Sequence, residues 1–257
     1  MTAPLAGELP ASLLGGEVTR DALLAGRVIL LQPARGYRVN IDALLLAAFA
    51  AEGRRPSRVV DLGAGVGAVS LVFAALSGGA RFDLVEPYGE LAALARANLA
   101  LAGLEGEVHE LTLGPGARLD RLVGAELVVS NPPFFDAGTT RPARDPRVRA
   151  AREGALAPFV GAARRLLTSP RSRAVFAYPA RSSAAVFESA AREGLVVKRL
   201  RLVHADRESP ARLALVELRR GRPGGLVIEP PLYEWSAPGV RSAELAELTG
   251  DRAADRA

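Results

Sequence analysis

Residues 58–70 read RVVDLGAGVGAVS, and no other stretch limits the fold as much. Val59 and Val60 begin a buried run that closes on Asp61 and Leu62. Glycine then recurs at 63, 65 and 67, and an Ala/Val/Leu-rich run follows. Glycine lets a backbone turn tightly and approach a ligand closely. A buried strand, a glycine turn and a helix, in that order, form the first half of a βαβ unit.

The alternation continues downstream. The patterning predicts strands at 81–85, 108–111 and 127–130, then at 174–178, 195–202 and 213–218. It predicts helices at 66–76, 88–102, 156–167 and 183–193, with Leu91, Leu94 and Leu99 on one face of the second. Strands that alternate with helices give a doubly wound α/β sheet, mostly parallel. The last two strands suit an antiparallel edge hairpin. Upstream, a strand is expected at 27–31 and a helix at 41–51, with Asn40 or Asp42 at its start. Residues 1–17 read as a flexible leader, 18–235 as a single domain with an upstream segment at 18–55, and 236–257 as a disordered tail with one short helix at 243–248.

The fourth strand ends in Ser130-Asn131-Pro132-Pro133-Phe134. Proline fixes φ and supplies no N–H, so the strand must stop there. Ligands of open α/β sheets sit at the carboxyl ends of strands, where the strand order reverses. The first and fourth strands meet at that point, so Asn131 should face the 63–67 loop. An exocyclic amine conjugated to a ring is a poor nucleophile, because its lone pair is delocalised. Two acceptors aimed at its hydrogens orient it and stabilise the positive charge that develops. The Asn131 side-chain oxygen and the Pro132 carbonyl are suitable acceptors. The two prolines hold that carbonyl in one direction, and Phe134 offers a face for stacking a base.

The glycine spacing alone leaves the ligand open, since Gly63-x-Gly65-x-x-Ala68 also satisfies a dinucleotide fingerprint. Glu86 stands at the end of the second strand, 23 residues beyond Gly63, where a carboxylate accepts from ribose hydroxyls. Asp61 beside the loop fits a ligand that carries an ammonium better than one that carries a pyrophosphate. This favours S-adenosyl-L-methionine. Candidate cofactor contacts are Tyr37, Asp42, Asp61, Gly63, Ala64, Gly65, Gly67, Glu86 and Asn131; for Tyr37, Arg38 and Asp42, helix capping and packing is an equal alternative.

Other classes recede on composition. There is no cysteine, and the two histidines, His109 and His204, are far apart. A disulfide framework is excluded, a metal centre is not expected, and a Ser-His-Asp triad is a poor fit. The pI near 10.3 invites a nucleic-acid partner. Yet Lys198 is the single lysine among 33 basic residues, so the surplus is an arginine bias of the whole chain. Arg141, Arg144, Arg147 and Arg149, just past Phe134, are candidates for RNA phosphates. The N-terminus lacks a signal-peptide pattern and no apolar run is long enough to span a bilayer, so a cytoplasmic location is expected.

The glycine loop, Glu86 and Asn131-Pro132-Pro133-Phe134 together resemble class I S-adenosylmethionine-dependent methyltransferases of the amino-methylating kind. The segment from Thr19 to Ala50 resembles the upstream part of the bacterial tRNA(Val) adenine-N6 methyltransferases, with Gln32, Pro33, Gly36, Tyr37 and Arg38 followed by Asp42, Leu45, Leu46 and Ala47. The resemblance extends through Trp235. It implies a Rossmann-like seven-stranded sheet with an antiparallel edge hairpin and transfer of a methyl group to the N6 amine of an adenine beside a tRNA anticodon. It also implies that Gly63, Gly65 and Gly67 approach the cofactor, that Glu86 holds its ribose, and that Asn131, Pro132, Pro133 and Phe134 handle the target base. The chain departs from the family where the third strand runs into Leu111-Thr112-Leu113, without the usual aspartate. The Asn-Pro-Pro-Phe motif suits guanine N2 and a protein glutamine amide equally well. A protein that binds cofactor or RNA without catalysis is the alternative of another class.

Overall fold

The computed structural model describes residues 17–36, 38–133 and 156–250. Tyr37, Phe134, Arg141, Arg144, Arg147 and Arg149 lie outside them. The chain opens with β1 (Val18–Leu23) and β2 (Val28–Pro33), an antiparallel hairpin separate from the main sheet. Next come α1 (Ile41–Ala51), β3 (Arg58–Leu62), α2 (Ala68–Ser77), β4 (Arg81–Val85), α3 (Gly89–Leu101) and β5 (Gly106–His109). They are followed by β6 (Leu127–Ser130), α4 (Ala157–Leu166), β7 (Arg173–Pro179), α5 (Ser183–Arg192), β8 (Leu195–His204) and β9 (Ala211–Arg220). Four short strands, β10 (Val227–Ile228), β11 (Leu232–Tyr233), β12 (Trp235–Ala237) and β13 (Val240–Arg241), precede α6 (Ala243–Thr249).

The main sheet runs β10-β8-β9-β7-β6-β3-β4-β5, with β11 also beside β8. The block β5-β4-β3-β6-β7 is parallel, and β9 and β8 continue it antiparallel. The seven-stranded Rossmann-like path read from the sequence is therefore present, lengthened by β10 and β11. Strand order reverses at β3, flanked by β4 on one side and β6 on the other, and this creates the crevice where such sheets bind ligands.

Alternate residues of the central strands feed two cores. Val59, Phe82, Leu84, Leu127 and Val129 pack under α1, α2 and α3. Val60, Leu62, Val85, Val128 and Phe176 pack under α4 and α5. A strand covered on both faces reads as a continuous apolar run, as β3 and β6 do. Helix α1 is buried from Asp42 to Leu46 and starts at Asn40, whose side-chain oxygen accepts the Asp42 N–H at 3.1 Å.

Strands β2, β8 and β9 run up to two residues beyond the spans expected from the sequence, and three further differences have a local cause. Helix α2 starts at 68 because Gly67 has φ +85°, outside helical space. Strand β5 lies two residues earlier than expected: Gly106 crosses Phe82 so closely that a Cβ there would sit 2.5 Å from the Phe82 carbonyl oxygen. Residues 236–250, read as a disordered tail with one short helix, also form the β12–β13 hairpin, and α6 buries Leu245 and Ala246. Strand β1 went unread, since VTRDAL has neither an apolar run nor clean alternation.

Candidate functional site

The glycine loop follows β3 directly. The N–H groups of Gly63 and Ala64 both donate to the Val85 carbonyl, at 2.8 and 3.0 Å, so the loop hangs on the end of β4. Gly63, Gly65 and Gly67 have φ of +71°, +56° and +85°, a region that costs any other residue strain. A Cβ at Gly67 would lie 3.0 Å from Leu84 Cδ2, so this glycine brings α2 down onto the sheet. Around Gly65, beyond its chain neighbours, none of the described residues comes within 4 Å of a Cβ, which leaves its surface open among them.

Glu86 is only 4% exposed. The Gly65 N–H donates to its Oε2 at 2.8 Å and the Tyr88 N–H to its Oε1 at 3.1 Å. Burial nonetheless pushes its pKa upward. Each carboxylate oxygen accepts two hydrogen bonds, so one acceptor position per oxygen remains, which suits a pair of ribose hydroxyls. Asp61 is buried at the end of β3, where Ser70 Oγ–H donates to it at 2.8 Å. Burial raises its pKa to about 7, so a cationic ligand group nearby would favour its ionised form.

Strand β6 delivers Asn131 to the same corner. Ser130 Oγ–H donates to the Leu62 carbonyl at 2.7 Å and ties the ends of β6 and β3 together. The Asn131 side-chain oxygen is buried and has no hydrogen-bond partner among the described residues. A buried acceptor without a partner is costly, on the order of 1–3 kcal/mol, and is the expected state of a group that awaits a donor. Pro132 is buried beside it.

The upstream residues are held by a separate network. Arg38 donates to Thr19 Oγ1, the Pro33 carbonyl and Asp21 Oδ2, all at 3.0 Å. Gln32 donates to Asp21 and accepts the Val39 N–H. Both Asp42 oxygens have protein partners: Arg212 Nη1 at 2.6 Å and Asn40 Nδ2 at 3.4 Å. Asp42 and Arg38 are thus both held by hydrogen bonds and ion pairs within the protein.

Three further residues frame the site without a motif to mark them. Asn98, fully buried on α3, accepts the Leu31 N–H at 2.7 Å and donates to the carbonyls of Leu31 and Val66. It couples the β1–β2 hairpin to the glycine loop, and its only sequence signal is an amide on an apolar helix face. Ser130 and Phe159 left no local signal. After β5, Glu110 pairs with Arg96 at 2.7 Å and Thr112 is exposed.

Asp83, Glu107 and His109 bring potential metal-ligand atoms within 4.8 Å of one another. Arg58 pairs with Asp83 at 2.8 Å, His109 Nε2 lies 3.0 Å from the other Asp83 oxygen, and Arg81 lies 3.9 Å from Glu107. Both carboxylates are already compensated by arginine. No helix among the described residues is long and apolar enough to cross a membrane.

Residues 40–155 match the methyltransferase small domain family. A tRNA1(Val) (adenine(37)-N6)-methyltransferase of Porphyromonas gingivalis is 32% identical over 123 residues, 44% of this chain and 47% of that protein. A ribosomal RNA small subunit methyltransferase C of Sodalis glossinidius is 35% identical over 101 residues, 38% of this chain and 26% of that protein. The chain thus spans about half or less of the curated relatives it matches. Among solved structures, a predicted O-methyltransferase of Agrobacterium tumefaciens aligns with a TM-score of 0.62 at 25% identity, over 82% of this chain and 97% of that one. A T. thermophilus 16S rRNA methyltransferase in complex with AdoMet and guanosine aligns with a TM-score of 0.53 at 19% identity, over 80% of this chain and 50% of that one, a likeness of fold.

Proposed function

We propose, from the premise that residues 40–155 are a methyltransferase small domain of the class I S-adenosylmethionine-dependent kind, that this protein methylates the exocyclic N6 amine of an adenine in RNA, with tRNA near the anticodon as the substrate. S-adenosyl-L-methionine, the cofactor of that domain, supplies an electrophilic methyl group. The observation that carries the proposal is the unpartnered, buried Asn131 oxygen where β6 meets the glycine loop.

The chain's own groups divide the work. The open backbone at Gly65 admits the cofactor, and the free acceptor positions on Glu86 take its ribose hydroxyls. The Asn131 oxygen and the Pro132 carbonyl accept the two N–H bonds of the target amine. They hold its lone pair toward the methyl group and stabilise positive charge as the nitrogen is alkylated. Phe134 stacks on the base, and Arg141, Arg144, Arg147 and Arg149 meet the flanking phosphates. RNA is favoured by the names of both curated relatives, and adenine by the first of them together with the Gln32–Arg38 segment.

Labelling of total RNA with methyl-tritiated cofactor, followed by nucleoside analysis, tests the assignment. N6-methyladenosine is the expected product; N2-methylguanosine, or label in protein alone, overturns it. Asn131→Ala should leave cofactor affinity within about twofold and lower kcat by at least about 100-fold, as loss of a transition-state contact does. Equal losses in both would make Asn131 structural.

A further inference from the structure

We propose that Phe159 is an aromatic wall of the methyl-donor pocket, seated on Gly63 and recognising the positive charge of the cofactor's sulfonium; this rests on the methyltransferase reading above. A Cβ at Gly63 would lie 3.0 Å from Phe159 Cε1 and 3.6 Å from Cζ, with no other described atom within 4 Å beyond its chain neighbours. The tip of the ring fills the space that any larger residue at 63 would need. Gly65 differs, since a Cβ there meets no described atom within 4 Å beyond its chain neighbours. The two glycines are bare for different reasons: Gly65 leaves room for a ligand, and Gly63 leaves room for a side chain of the protein itself.

The place of this contact gives it meaning. Gly63 hangs on Val85 of β4, next to Glu86, and the residue before it, Leu62, is tied to Ser130, next to Asn131. The ring therefore enters the corner between the carboxylate suited to the ribose and the acceptor suited to the target amine. The donor sulfur has to lie between those two groups. Phe159 packs on the second core yet stays partly exposed. A sulfonium carries its positive charge without an N–H or O–H to donate, and an aromatic ring attracts that charge through its π electrons. Two carboxylates flank this corner, Asp61, which accepts from Ser70, and Glu86, which accepts from Gly65 and Tyr88.

Calorimetric titration of the full chain with S-adenosylmethionine and with the neutral S-adenosylhomocysteine separates charge recognition from packing. Phe159→Leu should raise the Kd for S-adenosylmethionine by about 2- to 30-fold and leave that for S-adenosylhomocysteine within about twofold. An equal loss for both ligands, or no loss for either, overturns charge recognition. Gly63→Ala should weaken both ligands, and adding Phe159→Leu should recover part of the loss for S-adenosylhomocysteine, with the strain of a positive φ setting the remainder. No recovery overturns the seating of the ring on Gly63. Wild-type protein that binds neither ligand would sink the methyltransferase reading itself, whereas wild-type binding with an indifferent Phe159→Leu sinks only this inference.

Discussion

Asp61 carries the clearest pH signature of any single residue. Its carboxyl is held near pKa 7 in the folded chain by burial, against 3.8 for the free group. The folded state therefore keeps a proton that the unfolded state releases between about pH 4 and about pH 7. The stability linked to Asp61 is fully present below the unfolded value and is lost as pH rises through the folded one. Urea unfolding at pH 5 and pH 8 should show this fall, and Asp61→Asn should flatten it; an unchanged slope would assign the pH dependence elsewhere. Residues in short motifs were legible in sequence for a physical reason. Gly63, Gly65 and Gly67 act through local backbone geometry and Glu86 directly follows β4, so their spacing announces them. Asn98 acts across 67 positions and Phe159 across 96, and nothing near either of them marks the partner.

At the scale of elements, the parallel block could be read because β3, β4 and β6 are buried on both faces and bounded by glycine or proline. Of the β1–β2 hairpin only β2 was legible, as the strand expected at 27–31; β1 and its pairing were not, because VTRDAL carries no apolar run and part of the hairpin's order comes from side chains elsewhere. Asn98 gives β2 both a donor and an acceptor, much as a neighbouring strand would. Asn98→Leu keeps the size of the side chain and strips Leu31 N–H, Leu31 C=O and Val66 C=O of their partner. With each of the three buried orphans costing about 1–3 kcal/mol, urea unfolding should report a loss of about 3 kcal/mol or more. Cofactor affinity should fall as well, since Val66 lies inside the glycine loop. A loss of stability with cofactor affinity intact would confine Asn98 to a packing role.

Across the whole molecule, much of the arginine surplus is spent on internal pairing. Arg212 reaches Asp42 on α1 and both oxygens of Glu234; Arg199 joins Glu52, Glu217 and Glu229; Arg201 grips both oxygens of Glu244. The high pI is accordingly a poor guide to the binding surface. These pairs bind the β8–β9 hairpin to α1 on one side and to α6 on the other. Helix α6 is capped by Ser242, whose Oγ accepts the Leu245 N–H at 3.2 Å, and it buries Leu245 to 3% exposure. Leu245→Ala should cost about 2 kcal/mol or more and lower Tm by about 4–8 °C; a change under about 1 °C in a thermal melt would make α6 a bystander.

The end of α6 rests on the turn of the β1–β2 hairpin. Leu24 and Ala25 hold φ of +51° and +52° there, a conformation non-glycine residues rarely keep alone, and a Cβ at Gly250 would come within 2.5 Å of the Ala25 Cβ. During synthesis Leu24 leaves the ribosome some 226 residues ahead of Gly250, a delay of roughly 10–45 s at ordinary elongation rates. Throughout that interval the first hairpin lacks the contact that supports its turn. Because the same hairpin is joined through Asn98 to the glycine loop, nascent chains should acquire a firm cofactor site only once α6 has emerged, which makes cofactor capture a report on the docking of α6.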